Sequence, residues 1–270
     1  MSSTSRQGIG HYADKVAIVT GASSGIGQAL VVQLIAEGAQ VFAVGRDAER
    51  LNGLYGLTNA PVTQLATGQF DVQDDAACRQ LVESCLSHFG RIDLVFCNAG
   101  RAMKGTFLSA NSPLPSIDMM RTNYDSVVYL AFYTLPHLIL TQGHITVTGG
   151  IVCYVGLPEF SAYCASKHAV RGFIESLRRE VTTEGVTLTL VSPDTVRTAV
   201  RANMQDACGD PNPIPYGDEK VMSDQQCADK ILYATRCKKR DVLLSSRARF
   251  LNLLQFSFPW LAQKVLAIKH

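Results

Sequence analysis

Residues 15–27, K-V-A-I-V-T-G-A-S-S-G-I-G, constrain the fold of this chain more than any other stretch. An apolar, β-branched run at residues 16–20 fits a strand buried on both faces, and Gly21, Gly25 and Gly27 then turn the backbone into an amphipathic helix. Glycine suits such a turn for three reasons: it allows φ angles that other residues resist, lets backbone come close to a pyrophosphate, and packs helix tightly on strand. The amino end of the helix adds unpaired N–H groups and the positive pole of its dipole, both attractive to phosphate. A tight turn without a ligand could carry the same glycines. The strand before them, the helix after them and their place near the N-terminus favour a dinucleotide site.

The rest of the chain continues that rhythm. A helix over residues 28–37 closes at Gly38, a strand covers 40–44, and Gly45-Arg46 follows where an NAD-binding fold carries an acid for the adenine ribose. A guanidinium suits a 2′-phosphate by charge and bidentate geometry, so NADP(H) is favoured over NAD(H), unless Arg46 only opens a solvated polar turn. The next strand, 64–70, ends in Asp71-Val72, where the acid suits either an adenine amino group or a plain turn. A helix over 75–89, a strand over 94–97 and the small residues Asn98-Ala99-Gly100 come next, with a loop over 101–116. Alternating strands and helices predict an α/β fold, a doubly wound parallel sheet with helices on both faces and ligands at the carboxyl ends of its strands.

Composition narrows the class. The 270 residues suit one large domain, and a net charge of +2 without a basic block gives no reason to expect a nucleic-acid partner. Eight cysteines (Cys78, Cys85, Cys97, Cys153, Cys164, Cys208, Cys227, Cys237) lack C-x-x-C spacing, which fits a reducing cytoplasm with no zinc and no disulfide framework. Residues 1–14 read as a loose arm without the apolar core of an export signal, and no stretch reaches the roughly 20 apolar residues that a transmembrane helix needs.

Five motifs in order, T-G-A-S-S-G-I-G at 20–27, D-V at 71–72, N-A-G at 98–100, the asparagine of R-T-N-Y at Asn123 and Y-C-A-S-K at 163–167, resemble the short-chain dehydrogenase/reductase family over about residues 14–240. The resemblance implies a single Rossmann-like domain over 1–270, with a nucleotide-binding core at 14–200, and a homodimer or homotetramer. It also implies cofactor binding by Gly21, Ser23, Ser24, Gly25, Ile26 and Gly27 at the pyrophosphate and by Asp71 and Val72 at the adenine. Asn98, Ala99 and Gly100 would line the site, and Pro193, Val196 and Thr198 would belong to the loop over the nicotinamide.

Tyr163 and Lys167 stand four residues apart and share a helix face, where an ammonium would lower the phenol's pKa from about 10. A poised phenol can give a proton to a carbonyl oxygen as hydride reaches carbon, or take one back. The same pair is also common surface chemistry. In the family the lysine bonds the nicotinamide ribose, and Asn123 is similar to the asparagine that holds a relay water. One departure stands out: the serine that the family places at the end of the preceding strand falls at Gly150, after Gly149. Thr148, a water or a substrate hydroxyl could take the serine's place, or the two glycines could make room for a bulky substrate. The alternative is lost or repurposed chemistry, in a regulator, isomerase or cyclase that still binds NADP(H).

After the helix that carries Tyr163, running to about 182, a strand over 187–192 leads into P-D-T-V-R-T, where the family commonly has Pro-Gly. Its wording, with N-A-G-R-A-M-K-G-T-F, resembles 3-ketodihydrosphingosine reductases and, slightly less, steroid and retinoid reductases. The reading is therefore an NADP(H)-dependent oxidoreductase for a ketone or secondary alcohol on a hydrophobic substrate such as a lipid, steroid or polyketide-like molecule. Residues 199–222, rich in Pro and Gly, read as a substrate lid or a surface loop, and the apolar tail 248–270 suits packing, a mouth wall or peripheral membrane contact.

Overall fold

The computed structural model describes residues 10–216 and 221–267. In chain order its elements are β1 (Val16–Thr20), α1 (Gly25–Ala36), β2 (Gln40–Gly45), α2 (Ala48–Thr58), β3 (Leu65–Gln69), α3 (Asp75–Phe89) and β4 (Leu94–Cys97). They continue with α4 (Leu114–Met120), α5 (Ser126–Thr141), β5 (His144–Thr148), α6 (Ser161–Glu180), β6 (Thr187–Ser192), β7 (Val196–Arg197) and α7 (Ala199–Ala202). The last are β8 (Met222–Ser223), α8 (Asp224–Arg236), β9 (Asp241–Leu243), α9 (Ser246–Ser257) and α10 (Pro259–Leu266).

The main sheet has the order β3-β2-β1-β4-β5-β6-β9, and each neighbouring pair is parallel. Its strands are apolar on both sides because both sides are covered. Ile18, Val44, Val95 and Val147 face α3, α5 and α6, while Ala17, Val19, Ala43 and Phe96 face α1, α2 and α8. This is the doubly wound α/β sheet that the strand and helix cadence predicts. The order reverses between β1 and β4, and a crevice opens there beyond the strands' carboxyl ends.

Several local expectations change. The helix expected at 28–37 starts earlier, at Gly25, so two of the three glycines lie in its first turn. Residues 48–58, which the pattern gives no element, form α2. Asp47 caps it by accepting from the Arg50 N–H at 3.0 Å, and only Leu51 and Leu54 are buried, too thin a stripe to stand out from sequence. The loop expected at 101–116 holds a short 3-10 turn at Phe107–Ser109 and ends in the start of α4.

The expected loose arm is corrected where the structure describes it. Tyr12 is buried, its backbone N–H donates to Glu37 O at 3.2 Å, and its hydroxyl donates to Leu232 O at 2.7 Å. The hydroxyl thereby pins the arm to α8, an attachment 220 positions away that no local pattern shows. Replacing Tyr12 with Phe leaves that buried carbonyl without its donor. The expected cost is about 1 kcal/mol, read in thermal unfolding as a Tm lower by about 2–4 °C with nicotinamide cofactor affinity unchanged.

Candidate active site

The crevice starts at the glycine turn after β1. Gly21 and Gly25 have φ of +66° and +53°, the left-handed region that favours glycine. Gly27 is needed for closeness, since a β-carbon there would lie 2.1 Å from the Gly21 carbonyl oxygen. Ser24 occupies the N-cap of α1 without a side-chain cap bond, and the first turn holds no acid, so the amino end of α1 is open to an anion. Ile26 packs into the core beside it. Ser23 lies 3.3 Å from where a Gly45 β-carbon would be, which brings the end of β2 and the exposed Arg46 next to the turn. A bare helix end, a backbone cradle and a nearby cation fit a dinucleotide's phosphates.

Thr20 ties this turn to β4. Its hydroxyl donates to Phe96 O at 3.2 Å and accepts from the N–H groups of Asn98 and Ala99, both at 3.1 Å. The Asn98 amide returns a bond to Thr20 O at 3.2 Å and accepts from the Thr148 hydroxyl at 3.1 Å. The Lys167 ammonium donates to Thr148 O at 3.0 Å. Four residues from four elements thus form one chain across the strand ends. The hydroxyl of Thr148, one stand-in for the missing serine, is engaged by Asn98 in this structure.

Asn123 lies in a π-helical turn, Arg121–Asp125, a widened turn often found at functional sites. Its Oδ1 accepts from Arg101 N–H at 2.9 Å, and its Nδ2 donates to Arg101 O at 3.0 Å and Ser166 Oγ at 2.9 Å. These bonds fasten the Gly100-Arg101 turn to α6. A β-carbon on Gly100 would lie 3.1 Å from Asn123 Oδ1 and 3.5 Å from Lys167 Nζ, so nothing larger than glycine fits easily.

Tyr163, on the first turn of α6, is half-buried, and loss of hydration is the largest influence on its phenol. Burial pushes its pKa well above the ordinary tyrosine value, and the neighbouring Cys153 and Cys164 act in the same direction. Burial also lowers Lys167. In this structure desolvation is the largest effect on the phenol, and the Lys167 ammonium donates to the Thr148 carbonyl.

The two glycines after β5 are not alike. A β-carbon on Gly149 would meet Cys153 Sγ and Ser192 Oγ, both at 2.8 Å, so that position is filled by the protein. On Gly150, which has extended backbone (φ 175°), it would lie 3.4 Å from Val152 Cγ2 and 3.8 Å from the Tyr163 hydroxyl. A side chain is thus excluded at Gly149 and fits at ordinary contact distances at Gly150, which corrects the idea that both glycines open space.

The loop after β6 closes over the glycine turn. The Pro193 carbonyl accepts from Ile151 N–H at 3.2 Å, Val196 is buried, and Thr198 packs 3.1 Å from a Gly25 β-carbon position. The Tyr216 hydroxyl accepts from Thr198 N–H at 2.8 Å and reaches Val196 O at 2.7 Å. Within the segment expected as a lid, residues 199–216 lie across the 101–105 rim. The Lys104 N–H donates to Gln205 O at 2.8 Å, Asn212 Nδ2 to Lys104 O at 3.0 Å, and Arg101 to the Gln205 side chain. Gly217, part of the same expectation, falls outside the described residues.

Residues 15–209 match the sequence profile described as short chain dehydrogenase. The chain belongs to that family. It is 34% identical over 244 residues to dehydrogenase/reductase SDR family member 7B of Bos taurus, covering 85% of this chain and 73% of that protein. It is 30% identical to a dehydrogenase/reductase SDR family protein 7-like of Dictyostelium discoideum, covering 93% and 80%. Among solved structures, a short-chain dehydrogenase of Burkholderia cenocepacia in complex with NADP matches with a TM-score of 0.81 at 22% identity, covering 96% of this chain and 100% of that one. A Burkholderia phymatum short-chain dehydrogenase/reductase in complex with NAD matches with a TM-score of 0.81 at 20% identity, covering 93% and 96%. These structures establish the shared fold.

As a short-chain dehydrogenase/reductase, the protein is of an oxidoreductase family that binds a nicotinamide cofactor. Gly21, Ser23, Ser24, Gly25, Gly27, Asn98, Ala99, Gly100, Thr198, Tyr163 and Lys167 converge on one crevice, while Asp71 and Val72 stand further out, beyond β3. Asp71 Oδ1 accepts from Gln73 N–H at 3.0 Å, the turn role, and the Val72 side chain is buried in the core. The sequence reading missed Thr20, Arg101 and Ser166. Thr20 ends a buried strand, the one local sign that its hydroxyl needs partners. The glycine asymmetry predicts that Gly149→Ser destabilises by about 1–3 kcal/mol through overpacking. Gly150→Ser, whose β-carbon meets only ordinary contacts, should cost clearly less than Gly149→Ser in thermal unfolding; equal losses at the two positions would contradict this geometry.

Proposed function

We propose that this short-chain dehydrogenase/reductase is an NADP(H)-dependent enzyme that reduces a ketone, or oxidises a secondary alcohol, on a hydrophobic substrate such as a lipid, steroid or polyketide-like molecule. The observation that carries the reading is the Tyr163 hydroxyl, kept protonated by burial and 3.8 Å from the β-carbon position of Gly150 just past the end of β5. When bound, the cofactor supplies the hydride and accepts it in the reverse direction. Tyr163 gives its proton to the carbonyl oxygen as the carbon is reduced. A raised pKa keeps that proton available at neutral pH, whereas oxidation needs the phenolate and so accelerates as pH rises.

Lys167 supports the nicotinamide ribose in this reading, and Asn123 sets the shape of the Gly100-Arg101 turn beside it. Arg46 meets the 2′-phosphate, with its exposed guanidinium at the end of β2 next to Ser23. With Gly150 lacking a hydroxyl and Thr148 bonded to Asn98, a water or a hydroxyl of the substrate gives the carbonyl its second hydrogen bond. Val152 beside Gly150 makes that part of the site apolar. A homodimer or homotetramer in the cytoplasm, with the tail touching membrane peripherally, is the setting this reading favours.

Gly150 also favours a second reading, in which the chain binds NADP(H) but regulates, isomerises or cyclises without net hydride transfer. NADPH oxidation across a panel of hydrophobic ketones separates the two. Turnover that disappears in Tyr163→Phe with NADPH binding retained supports the first, and undiminished turnover in that variant would sink it. Replacing Arg46 with Glu should shift the NADPH-over-NADH affinity ratio by roughly 10²-fold. An unchanged ratio in binding titrations would remove Arg46 from the phosphate site.

A further inference from the structure

The C-terminal hairpin α9–α10 is fastened to the crevice on one side and bare on the other. Asp194, where the loop after β6 departs from Pro-Gly, accepts from Ser245 Oγ at 3.1 Å and pairs with Arg247 at 3.6 Å, which fixes the start of α9 against that loop. Ala248, Leu251, Leu254 and Ala262 face inward and are buried. Leu251 and Leu266 pack with the core cluster that includes Val155, Leu157 and Tyr163. The outer side carries Phe250, Leu253, Phe256 (88% exposed), Phe258, Trp260 (60% exposed) and Val265. Single exposed apolar residues are ordinary, but six on two consecutive helices make a patch that calls for a partner.

The patch continues toward the start of the helix that carries Tyr163. Leu157 and Pro158, just ahead of the helix with Tyr163, line an open depression of about 320 Å³ together with Gln255, Gln263 and Leu266 of the hairpin. On their other side Glu159 pairs with Lys104 at 3.5 Å, and its carbonyl accepts from Gly105 N–H at 2.8 Å. That contact holds the turn bearing Phe107 and Leu108, the latter 98% exposed. Hairpin, residues 157–159 and the 104–108 turn therefore form one rim with bare apolar side chains at both ends.

Charge decides what covers it. From residue 242 to 270 the sequence has no Asp or Glu, while Arg247, Arg249, Lys264 and Lys269 are spaced among the apolar residues. The exposed Lys264 ammonium lies 5.6 Å from the centre of the Trp260 ring, an aromatic and cation pair suited to a boundary between apolar and polar phases. A second copy of this face would bring Arg249 and Lys264 against their own kind, whereas anionic headgroups would neutralise them. No helix among the described residues is long and apolar enough to cross a membrane, so the contact is with a surface.

We propose that this rim seats the protein on an anionic phospholipid bilayer, with α9–α10 on one side of the mouth and Phe107-Leu108 on the other. Resting on the reading of Tyr163 as the proton donor to an apolar ketone, the same seating lets substrate pass from the acyl chains to the crevice without crossing water. Trp260, the chain's one tryptophan, makes the test direct. The full chain is titrated with vesicles of phosphatidylcholine alone and of phosphatidylcholine with phosphatidylserine, and tryptophan emission is followed. With the anionic vesicles we expect a blue shift, quenching by brominated acyl chains, and weakening by salt.

Joint replacement of Arg249 and Lys264 by Gln should weaken vesicle binding roughly 25-fold, about fivefold per cation. Phe256→Ser should weaken it and slow turnover of a bilayer-dissolved ketone, while turnover of a water-soluble ketone stays as in the parent. Emission that ignores both kinds of vesicle overturns the proposal, as does a blue shift that grows with protein concentration without lipid, which would mean that a second copy covers the face. Vesicle binding without NADPH oxidation of any ketone would leave the seating intact and count against the ketone reading alone.

Discussion

Where the strand order reverses between β1 and β4, the Thr20 hydroxyl satisfies three backbone groups at once: the Phe96 carbonyl and the N–H groups of Asn98 and Ala99. The chain leaves these two paired strands in opposite directions, so the peptide groups just past their ends lose ladder partners, and buried unpaired groups are costly. Thr20 removes that cost at the crevice itself. Once Asn98 is held, it accepts from Thr148, and the Thr148 carbonyl receives Lys167, so the lysine of α6 is placed by a strand at the far side of the crevice. The glycine turn, which comes within 3.0 Å of Ala99 at the Gly21 β-carbon position, can approach so closely because the same bonds hold 98–100 flat against it.

The electrostatics of the site follow from packing more than from pairing. Tyr163 and Lys167 share a helix face, but burial moves each toward its neutral form, the phenol up and the ammonium down. A buried cation persists because it has a partner of fixed position, the Thr148 carbonyl. The phenol meanwhile lies 3.8 Å from the β-carbon position of Gly150. Proton donor and glycine thus lie side by side just past the end of β5, with Cys153 and Ser192 filling the volume behind Gly149.

The departures from the family's common pattern are connected. Aspartate in place of glycine at Asp194 would be a liability in a mobile loop, yet here it receives Ser245 and Arg247 and so docks the start of α9. The docked hairpin buries Leu251 and Leu254 and leaves its aromatic side outward beside the mouth. One carboxylate therefore links the loop over the cofactor crevice to this apolar surface.

Much of this was legible in the amino-acid sequence. Two-residue and 3.6-residue periodicities are set by near neighbours, so α3, β4 and β6 lie where the pattern puts them, and the doubly wound sheet follows. The positive φ angles at Gly21 and Gly25 and the spacing of Tyr163 and Lys167 are local in the same sense. What the sequence could not give depends on groups brought together from far apart. The Tyr12 hydroxyl meets Leu232 across 220 positions, Thr20 meets Asn98 across 78, and Asn123 meets Ser166 across 43. The direction of the Tyr163 shift is likewise tertiary, because desolvation is a property of everything packed around the phenol and spacing along α6 fixes only its distance from Lys167. So is the difference between Gly149 and Gly150, identical residues side by side: in the folded chain a β-carbon would clash at one and fit at ordinary contact distance at the other.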